Sequence, residues 1–254
     1  MTKVLMHGCN GKIGQTIARI IKAHAGLELV AGVDPYLGIS NPFPTYESLD
    51  ACTTEYDVII DFSTAVAVRP LIEFASKHNK PVVVCTTGLS EEDINLIHEA
   101  SKNLPIFFSA NMSLGVNLLI ALAKRATEVL GDSGFDIEII EKHHNQKIDA
   151  PSGTALAIAD AINDSLDEKY SYRYDRSTVR EKRPQKEIGI HAVRGGTIVG
   201  EHEILFAGND EFISLTHQAT SKEVFAVGAL KAAKFLASMT SGLYNMSDLL
   251  NSTH

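Results

Sequence analysis

The chain has 254 residues, a formal net charge of −8 and a hydrophobic share of 44%, values ordinary for a globular protein of one large or two modest domains. The negative charge argues against a nucleic-acid binder, because such proteins need a basic surface to neutralise phosphates. Residues 1–254 contain no apolar run near the roughly 20 residues that span a bilayer. The strand-like run after Met1 is unlike a signal peptide. Three cysteines at no metal-binding spacing favour a reducing compartment, so we expect a cytoplasmic protein.

The first part of the chain alternates apolar runs with segments of helical periodicity. The helical spacing is clearest for Ile13, Ile17 and Ile20, which follow the first run. The apolar runs are residues 3–7, 27–33, 58–62, 82–84 and 106–108. Continuous apolar strands alternating with helices are typical of a parallel sheet covered on both faces. We therefore predict an α/β fold with a Rossmann-type doubly wound parallel sheet.

A glycine loop, Gly8-Cys9-Asn10-Gly11-Lys12-Ile13-Gly14, follows the first apolar run. The spacing Gly-x-x-Gly-x-x-Gly is weak by itself and is also found in plain tight turns. Here a strand precedes it, a helix opens in it, and Asp34 follows Gly14 by 20 residues. Glycines let the backbone approach a pyrophosphate, and a carboxylate at the end of the second strand can accept hydrogen bonds from ribose hydroxyls. The unit predicts dinucleotide binding.

Asp34 also bears on the choice of nicotinamide cofactor. Its carboxylate would repel a 2′-phosphate, and the adjacent Pro35 offers no cation. Lys12 is the nearby positive residue that could tolerate the phosphate. We expect NADH to be preferred, with some use of NADPH.

Two more loops follow the fourth and fifth predicted strands. They are Cys85-Thr86-Thr87-Gly88 and Ser109-Ala110-Asn111-Met112. In open α/β sheets, ligands bind outside the carboxyl ends of the strands, so we expect both loops to face the nicotinamide half of the cofactor. Ordinary turn chemistry would explain the same residues.

The pattern changes near residue 113, where an α+β domain with a mostly antiparallel open sheet is predicted. A charged stretch, 167–187, is interpreted as a surface loop or an oligomer contact. The predicted elements are helices 116–130 and 152–166, strand 135–141, and strand-like segments 188–194, 197–207 and 212–219. The short glycine-containing turns between these last segments predict antiparallel hairpins. We expect residues 1–114 and 221–254 to form a dinucleotide-binding domain, and residues 115–220 to bind substrate and mediate oligomerisation.

Residues 136–154 concentrate positive charge in an acidic chain. Lys142, His143, His144 and Lys147 precede Pro151-Ser152-Gly153-Thr154, which opens a helix. Cationic side chains beside a helix N-terminus form an anion site, and a histidine adds a proton donor that works near neutral pH. A solvated charge cluster is the plain alternative. Adjacent histidines point opposite ways on a strand and no zinc spacing is present, so we expect no metal. The stretch predicts a site that holds and protonates an anionic substrate.

The run from Glu141 to Ala155 closely resembles the signature of the dihydrodipicolinate reductases, bacterial and plant enzymes of the diaminopimelate route to lysine. The resemblance spans the chain. It includes the glycine loop, Asp-Phe-Ser at 61–63, Thr-Thr-Gly at 86–88, Asn-Met-Ser-Leu-Gly-Val-Asn at 111–117 and Val-Gly-Glu-His at 199–202. The long central motif is specific to the family, whereas the glycine loop is not.

The resemblance implies an NAD(P)H-dependent oxidoreductase that reduces a cyclic imine dicarboxylate, 4-hydroxy-tetrahydrodipicolinate, in amino-acid biosynthesis. It implies that His143 is the general acid and Lys147 the donor paired with it, and that His144, Gly153 and Thr154 bind substrate. The positions that it implies for cofactor binding are Gly8, Cys9, Asn10, Gly11, Lys12, Ile13, Asp34, Cys85, Thr86, Thr87, Ser109, Ala110, Asn111 and Met112. It also implies a homotetramer joined through the antiparallel sheets.

The chain departs from the family pattern in the nicotinamide loops and beside the second-strand acid. Cys85 stands where the family usually has glycine, and Ala110 where it commonly has proline. Pro35 stands where NADPH-using members often have arginine, which favours NADH. Two alternatives remain open: another nicotinamide oxidoreductase acting on a small carboxylic acid, and a nucleotide-sensing Rossmann regulatory protein without turnover.

Overall fold

The computed structural model describes residues 1–252, with only the backbone for Asp132, and the chain forms two compact units. The first unit comprises Met1–Leu114 and the chain from Glu223 onward, and the second comprises Gly115–Lys222. Residues 253 and 254, which end the predicted dinucleotide-binding domain, lie outside the described residues. The assignment of cofactor binding to 1–114 and 221–254, and of substrate binding and oligomerisation to 115–220, stays a prediction.

The helices and strands follow each other along the chain, with short 3₁₀ turns at Ile21–Ala23 and Gly131–Ser133. In chain order they are β1 (Thr2–His7), α1 (Lys12–Ile20), β2 (Leu27–Val33), β3 (Thr45–Tyr46), β4 (Val58–Asp61), α2 (Ala65–His78), β5 (Val82–Val84), α3 (Glu91–Ser101), β6 (Pro105–Phe108), α4 (Leu114–Leu130), β7 (Asp136–His143), α5 (Gly153–Asp164), β8 (Ser171–Arg173), β9 (Glu187–Arg194), β10 (Gly200–Ala207), β11 (Phe212–Ala219), α6 (Glu223–Leu236), β12 (Gly242–Tyr244) and α7 (Met246–Asn251).

A seven-stranded parallel sheet, in the order β12-β6-β5-β4-β1-β2-β3, forms the centre of the first unit. Alternate residues of each strand face opposite sides, and both sides are buried. Val4 and Ile60 pack with α1 and α6 on one side, whereas Leu5 and Ile59 pack with α2 and α3 on the other. Helix α6, from the C-terminal part of the chain, thus belongs to the first unit. The strand order reverses at β1, which lies between β2 and β4, and this reversal is where doubly wound sheets bind ligands.

The second unit contains a five-stranded mixed sheet in the order β11-β10-β7-β9-β8. The predicted hairpin of β10 and β11 is confirmed, and β10 is also antiparallel to β7. The predicted pairing of 188–194 with 197–207 is wrong, because β7 lies between β9 and β10 and pairs parallel with β9. The glycines at 195 and 196 do reverse the chain, but a turn signal does not specify which strand becomes the neighbour. The stretch 167–187 is not only a loop, since it contains the three-residue edge strand β8.

Helices α4 and α5 cover one face of this mixed sheet. Ile137 and Ile139 of β7 point to that face and pack with Leu119 of α4 and Ile158 of α5. The alternating residues of β7 lie on the other face and are partly exposed. Both parts of the predicted fold class, a Rossmann-type sheet and a second α+β unit, are confirmed. Within residues 1–252, no helix has the length and hydrophobicity needed to cross a membrane.

Candidate active site

The glycine loop after β1 is packed too tightly to accept side chains at two positions. Gly8 has φ +81°, and a Cβ there would lie 2.5 Å from the carbonyl oxygen of Phe62. A Cβ on Gly14 would lie 2.4 Å from the carbonyl oxygen of Gly8. Gly11 precedes α1 as its N-cap without a side-chain hydrogen bond. The first backbone N–H groups of α1 therefore carry no side-chain cap, which suits an anionic group such as a pyrophosphate.

Asp34 is held directly beside this loop. Its carboxylate accepts hydrogen bonds from the backbone N–H groups of Asn10 and Tyr36, each at 3.0 Å. The side-chain amide of Asn10 donates to the carbonyl of Tyr36 and accepts a bond of 2.8 Å from Asn41. The loop and the acid meet because β1 and β2 are parallel neighbours whose carboxyl ends lie at the same edge. The glycine cradle, the α1 N-terminus and Asp34 together fit a dinucleotide.

The other predicted cofactor residues lie after β5 and β6, at the same edge of the sheet. Cys85 and Met112 have buried side chains, so either would contact a ligand through its backbone. The hydroxyl of Thr86 donates to Asp61 at 2.7 Å, whereas Thr87 and Ala110 are exposed. Burial also raises the pKa of Cys9 to about 11 and that of Cys85 well above its usual range. Both thiols therefore stay neutral and serve packing. Ser109 donates to the carbonyl of Asn111 at 3.1 Å, which shapes the last loop.

A buried network beneath these loops was not assigned from the sequence. Asp61 is fully buried at the end of β4 and accepts hydrogen bonds from His7 at 2.8 Å, Ser63 at 2.6 Å and Thr86 at 2.7 Å. These residues lie at the carboxyl ends of β1, β4 and β5, where the network links the predicted cofactor loops after β1 and β5 to the segment after β4. The signal that the sequence did contain is Asp61, a charged residue at the end of an apolar run.

In the second unit, the residues predicted to hold and protonate the substrate lie at the end of β7 and in the segment up to α5. Glu141 and His143 continue the buried face of β7 that begins with Ile137 and Ile139, with Glu141 0% and His143 8% exposed. Lys142 was grouped with them in the sequence, but it points to the opposite face and pairs with Glu201 at 2.5 Å. The alternation of a β-strand separates neighbours in this way.

Four donors converge on the buried carboxylate of Glu141. Arg194 of β9 binds both oxygens, at 2.7 and 2.8 Å, and the backbone N–H of Ser152 binds at 2.9 Å. His143 Nδ1 lies 2.6 Å from Oε2. Burial alone would raise the pKa of Glu141, but the hydrogen bonds from Arg194, His143 and Ser152 outweigh it and hold that pKa below its usual value. Glu141 is therefore an anion throughout the neutral pH range.

The surroundings of His143 act on its pKa in opposite directions. Burial is the largest and lowers its pKa, Glu141 raises it, and the positive charges of Lys147 and Arg194 lower it again. The net result is a pKa below the usual value for histidine. The ring of His202 from β10 lies edge-on, with centroids 5.2 Å apart, and burial lowers the pKa of His202 to about 4. Gly200 leaves space for His143, since a Cβ there would lie 3.1 Å from Nε2.

Ser152 connects this cluster to α5. Its hydroxyl oxygen accepts the backbone N–H of Ala155 at 3.2 Å as the N-cap of α5 and lies 3.1 Å from His202 Nε2. Gly153 begins the helix, is exposed, and has nothing within 4 Å of where a Cβ would lie, so a ligand can approach the helix start from that side. Thr154 follows in the first turn.

Lys147 lies in the segment between β7 and α5 and is ion-paired with Asp149 at 2.8 Å. The bond from Lys147 lowers the pKa of Asp149, and the backbone N–H of Gly153 adds to that effect. Lys147 and the backbone N–H of Gly153, both predicted to bind the substrate carboxylate, thus act here on the carboxylate of Asp149.

Several buried polar atoms of this cluster have no hydrogen-bond partner within residues 1–252. They are Nδ1 of His144, Nε of Arg194 and Nδ1 of His202. Buried polar atoms are nearly always paired, so these are expected to bind a ligand or ordered water. The part of the chain that the structure describes holds no group of three or more His, Cys, Asp or Glu side chains able to bind a metal ion.

Comparison with known proteins agrees with the architecture of both units. The family description "Dihydrodipicolinate reductase, N-terminus" matches residues 2–112, and "Dihydrodipicolinate reductase, C-terminus" matches residues 115–250. The chain belongs to the dihydrodipicolinate reductase family. A 4-hydroxy-tetrahydrodipicolinate reductase of Caldanaerobacter subterraneus subsp. tengcongensis is 56% identical over 250 residues, which cover 98% of each chain. Its counterpart in Clostridium tetani is 50% identical over 252 residues, covering 99% of this chain and 98% of the relative.

A solved structure supports the same family. A dihydrodipicolinate reductase from Paenisporosarcina sp. TG-14, with dipicolinate bound, has a TM-score of 0.79 and 25% identity, covering 96% of this chain and 97% of that one. The predicted family and the prediction of a nicotinamide-dependent reductase are thereby confirmed.

Four residues of the reductase's second-unit cluster were missed as site residues by the sequence argument. Glu141 carried a detectable signal, since it ends the predicted strand 135–141 two positions before His143, and β7 extends to His143 so that both share one face. No such sequence signal marked the other three residues, Arg194, Ser152 and His202. Pairing across strands and the capping of α5 bring them to the cluster.

Proposed function

We propose that this chain reduces 4-hydroxy-tetrahydrodipicolinate to tetrahydrodipicolinate with NADH or NADPH, in the diaminopimelate route to lysine. The observation that carries the proposal is the arrangement of the second unit, where a buried His143–Glu141 pair lies close to Lys147 and to the open start of α5. The named relatives act on the same substrate. Such a substrate needs cations for its carboxylates and a proton for its ring.

The residues divide these tasks by their chemistry. Lys147 and the backbone N–H groups of Gly153 and Thr154 bind one substrate carboxylate, because a cation and a helix N-terminus both favour an anion. His144, whose Nδ1 has no hydrogen-bond partner among the residues that the structure describes, supplies a further donor. His143 bonds Glu141 through Nδ1, so its protonated form presents Nε2–H as the general acid.

The reaction balances with one hydride, one proton and one water. When bound, the dihydronicotinamide supplies the hydride that is added to ring C4. The C4 hydroxyl leaves as water together with a proton from the neighbouring carbon, and His143 supplies the proton that the ring gains when the hydride is added. Glu141 stays ionised and stabilises the imidazolium before the transfer.

The test is the oxidation of NADH by the purified chain in the presence and absence of freshly synthesised 4-hydroxy-tetrahydrodipicolinate. We expect oxidation that depends on the imine and yields one NAD⁺ per imine consumed. Tight NADH binding without turnover would instead support a nucleotide-sensing protein. Turnover only with a different small carboxylic acid would assign another reductase activity.

We infer that NADH is the preferred cofactor, since Asp34 lies where an adenosine ribose is expected and would repel a 2′-phosphate. Replacing Asp34 with glycine is expected to lower the ratio of kcat/KM for NADH to that for NADPH by about tenfold, because like charges in contact cost at least about 1–2 kcal/mol. Lys12→Ala is the matched control and should impair NADPH selectively. A wild-type enzyme with strong NADPH preference would overturn the inference.

We also infer a cytoplasmic homotetramer joined through the open face of the mixed sheet. Val193 is 44% and Phe212 is 73% exposed. By strand register both share that face with the partly exposed side of β7. Exposed apolar side chains on an otherwise polar sheet face are best covered by a second copy of the chain. Light scattering of the purified protein should give four times the chain mass, and Phe212→Lys should lower it. A wild-type monomer would contradict the inference.

A further inference from the structure

The carboxylate of Glu141 connects the proton donor to its surroundings. It is 0% exposed, and its hydrogen bonds come from three separate parts of the second unit: Arg194 on β9, Ser152 at the N-cap of α5, and His143 on β7 itself. An anion this deeply buried is costly unless it is paired, and here Arg194 neutralises it with a bidentate contact. Packing of the strands alone does not require a buried carboxylate with partners from three parts of the unit.

The contact with His143 decides which ring nitrogen carries a proton. Because Glu141 is an anion and lies 2.6 Å from Nδ1, Nδ1 must be the donor in that bond. In the neutral ring Nε2 then has no proton, and only the imidazolium can donate from Nε2. The supply of that imidazolium depends on the charges around the ring.

Those charges come from every element packed against His143. Glu141 favours the imidazolium, whereas Lys147 in the following segment and Arg194 on β9 disfavour it. His202 on β10, whose ring lies 5.2 Å away, is held neutral by burial and adds no positive charge at neutral pH. Glu141 and Arg194 thus act in opposite directions on one proton, and they do so through a shared contact.

We propose that Glu141 is a positioning residue that fixes the ring of His143 through Nδ1 and holds its charged form, and that Arg194 limits this effect by sharing the same carboxylate. The proposal rests on the proposed function, in which His143 is the general acid. The same carboxylate binds the N–H of Ser152, so it also fixes the start of α5 relative to the acid.

Two single variants test this by shifts of opposite sign. NMR titration of His143, whose signal is identified by its loss in His143→Gln, should give a pKa lower by at least about one unit in Glu141→Gln, because a neighbouring charge is worth that much or more. Arg194→Met should raise the pKa of His143, and Arg194→Lys, which keeps the charge, should leave it near the wild-type value. Because His143 must be protonated to donate, kcat/KM falls as pH rises through its pKa. That fall should move to lower pH in Glu141→Gln and to higher pH in Arg194→Met.

Each single change leaves a buried charge without its partner, which can destabilise the protein. The experiment therefore needs a separate control that shows whether each variant is folded. The double variant Glu141→Gln/Arg194→Met removes both charges, and thermal unfolding together with NADH binding reports whether each protein is intact. We expect the pKa of His143 in the double variant to lie between those of the two single variants. Folded variants with unchanged pKa values, or with shifts of the same sign, would overturn the proposal.

The two readouts separate this proposal from the proposed function. The titration of His143 reports on Glu141 and Arg194 whether or not His143 is the acid. If the titration shifts as expected but the rate profile does not follow, the role of His143 fails and the positioning by Glu141 stands. If His143→Gln loses turnover but the titration does not shift, the positioning fails and the role of His143 stands.

Discussion

Replacing His143 with glutamine is expected to lower kcat by about a hundred- to ten-thousand-fold, the usual contribution of a positioned general acid. Glutamine can still donate a hydrogen bond to Glu141, so the buried carboxylate keeps a partner. NADH affinity should not change, because the predicted cofactor residues lie in the first unit. Steady-state kinetics and NADH fluorescence titration measure the two quantities.

The pH dependence of the rate distinguishes the loss of a general acid from other causes of a lower kcat. The pKa of His143 lies below the usual value, chiefly through burial, so wild-type kcat/KM should fall as pH rises through that value. The residual rate of His143→Gln should not show this fall. His98→Gln, an exposed histidine on α3, is the control and should behave as wild type. Wild-type rates in His143→Gln would refute the assigned role.

Replacing Lys147 with methionine is expected to lower kcat/KM by about ten- to a hundredfold, mainly through KM, because a charge-assisted hydrogen bond contributes roughly 1.5–3 kcal/mol. The side chain of Lys147 is only 23% exposed, so its ammonium is partly shielded from solvent. Calorimetry with pyridine-2,6-dicarboxylate, a planar dianion, should show the same loss of affinity. Unchanged binding of this dianion would remove Lys147 from the anion site.

Asp149→Asn is the matched control for Lys147. It removes the carboxylate that pairs with the ammonium at 2.8 Å and leaves Lys147 in place. Since the lysine then has no internal anion to release, affinity for the dicarboxylate should stay the same or rise by up to about fivefold, the value of an exposed ion pair. A loss of affinity in Asp149→Asn would mean that Asp149 positions Lys147 for binding.

Much of the first unit could be predicted from the sequence, because its signals are local. Buried strands such as β4 read as short continuous apolar runs. The glycine loop and Asp34 were recognisable because the parallel strands β1 and β2 fix the distance between their ends. The candidate anion site could be proposed from the sequence because its residues lie within one short stretch that opens a helix.

What only the tertiary structure decided depends on contacts between distant residues. The insertion of β7 between β9 and β10 could not be read from the turn at residues 195–196, since a turn reports a change of direction and not a neighbour. Which of Lys142 and His143 lies on the buried face of β7 depends on the side that α4 and α5 cover. The bidentate contact of Arg194 with Glu141 joins residues 53 positions apart. The sequence alone indicated which residues could bind an anion and donate a proton, whereas the fold determined that a buried carboxylate contacts the candidate proton donor, because burial and strand pairing are not local properties.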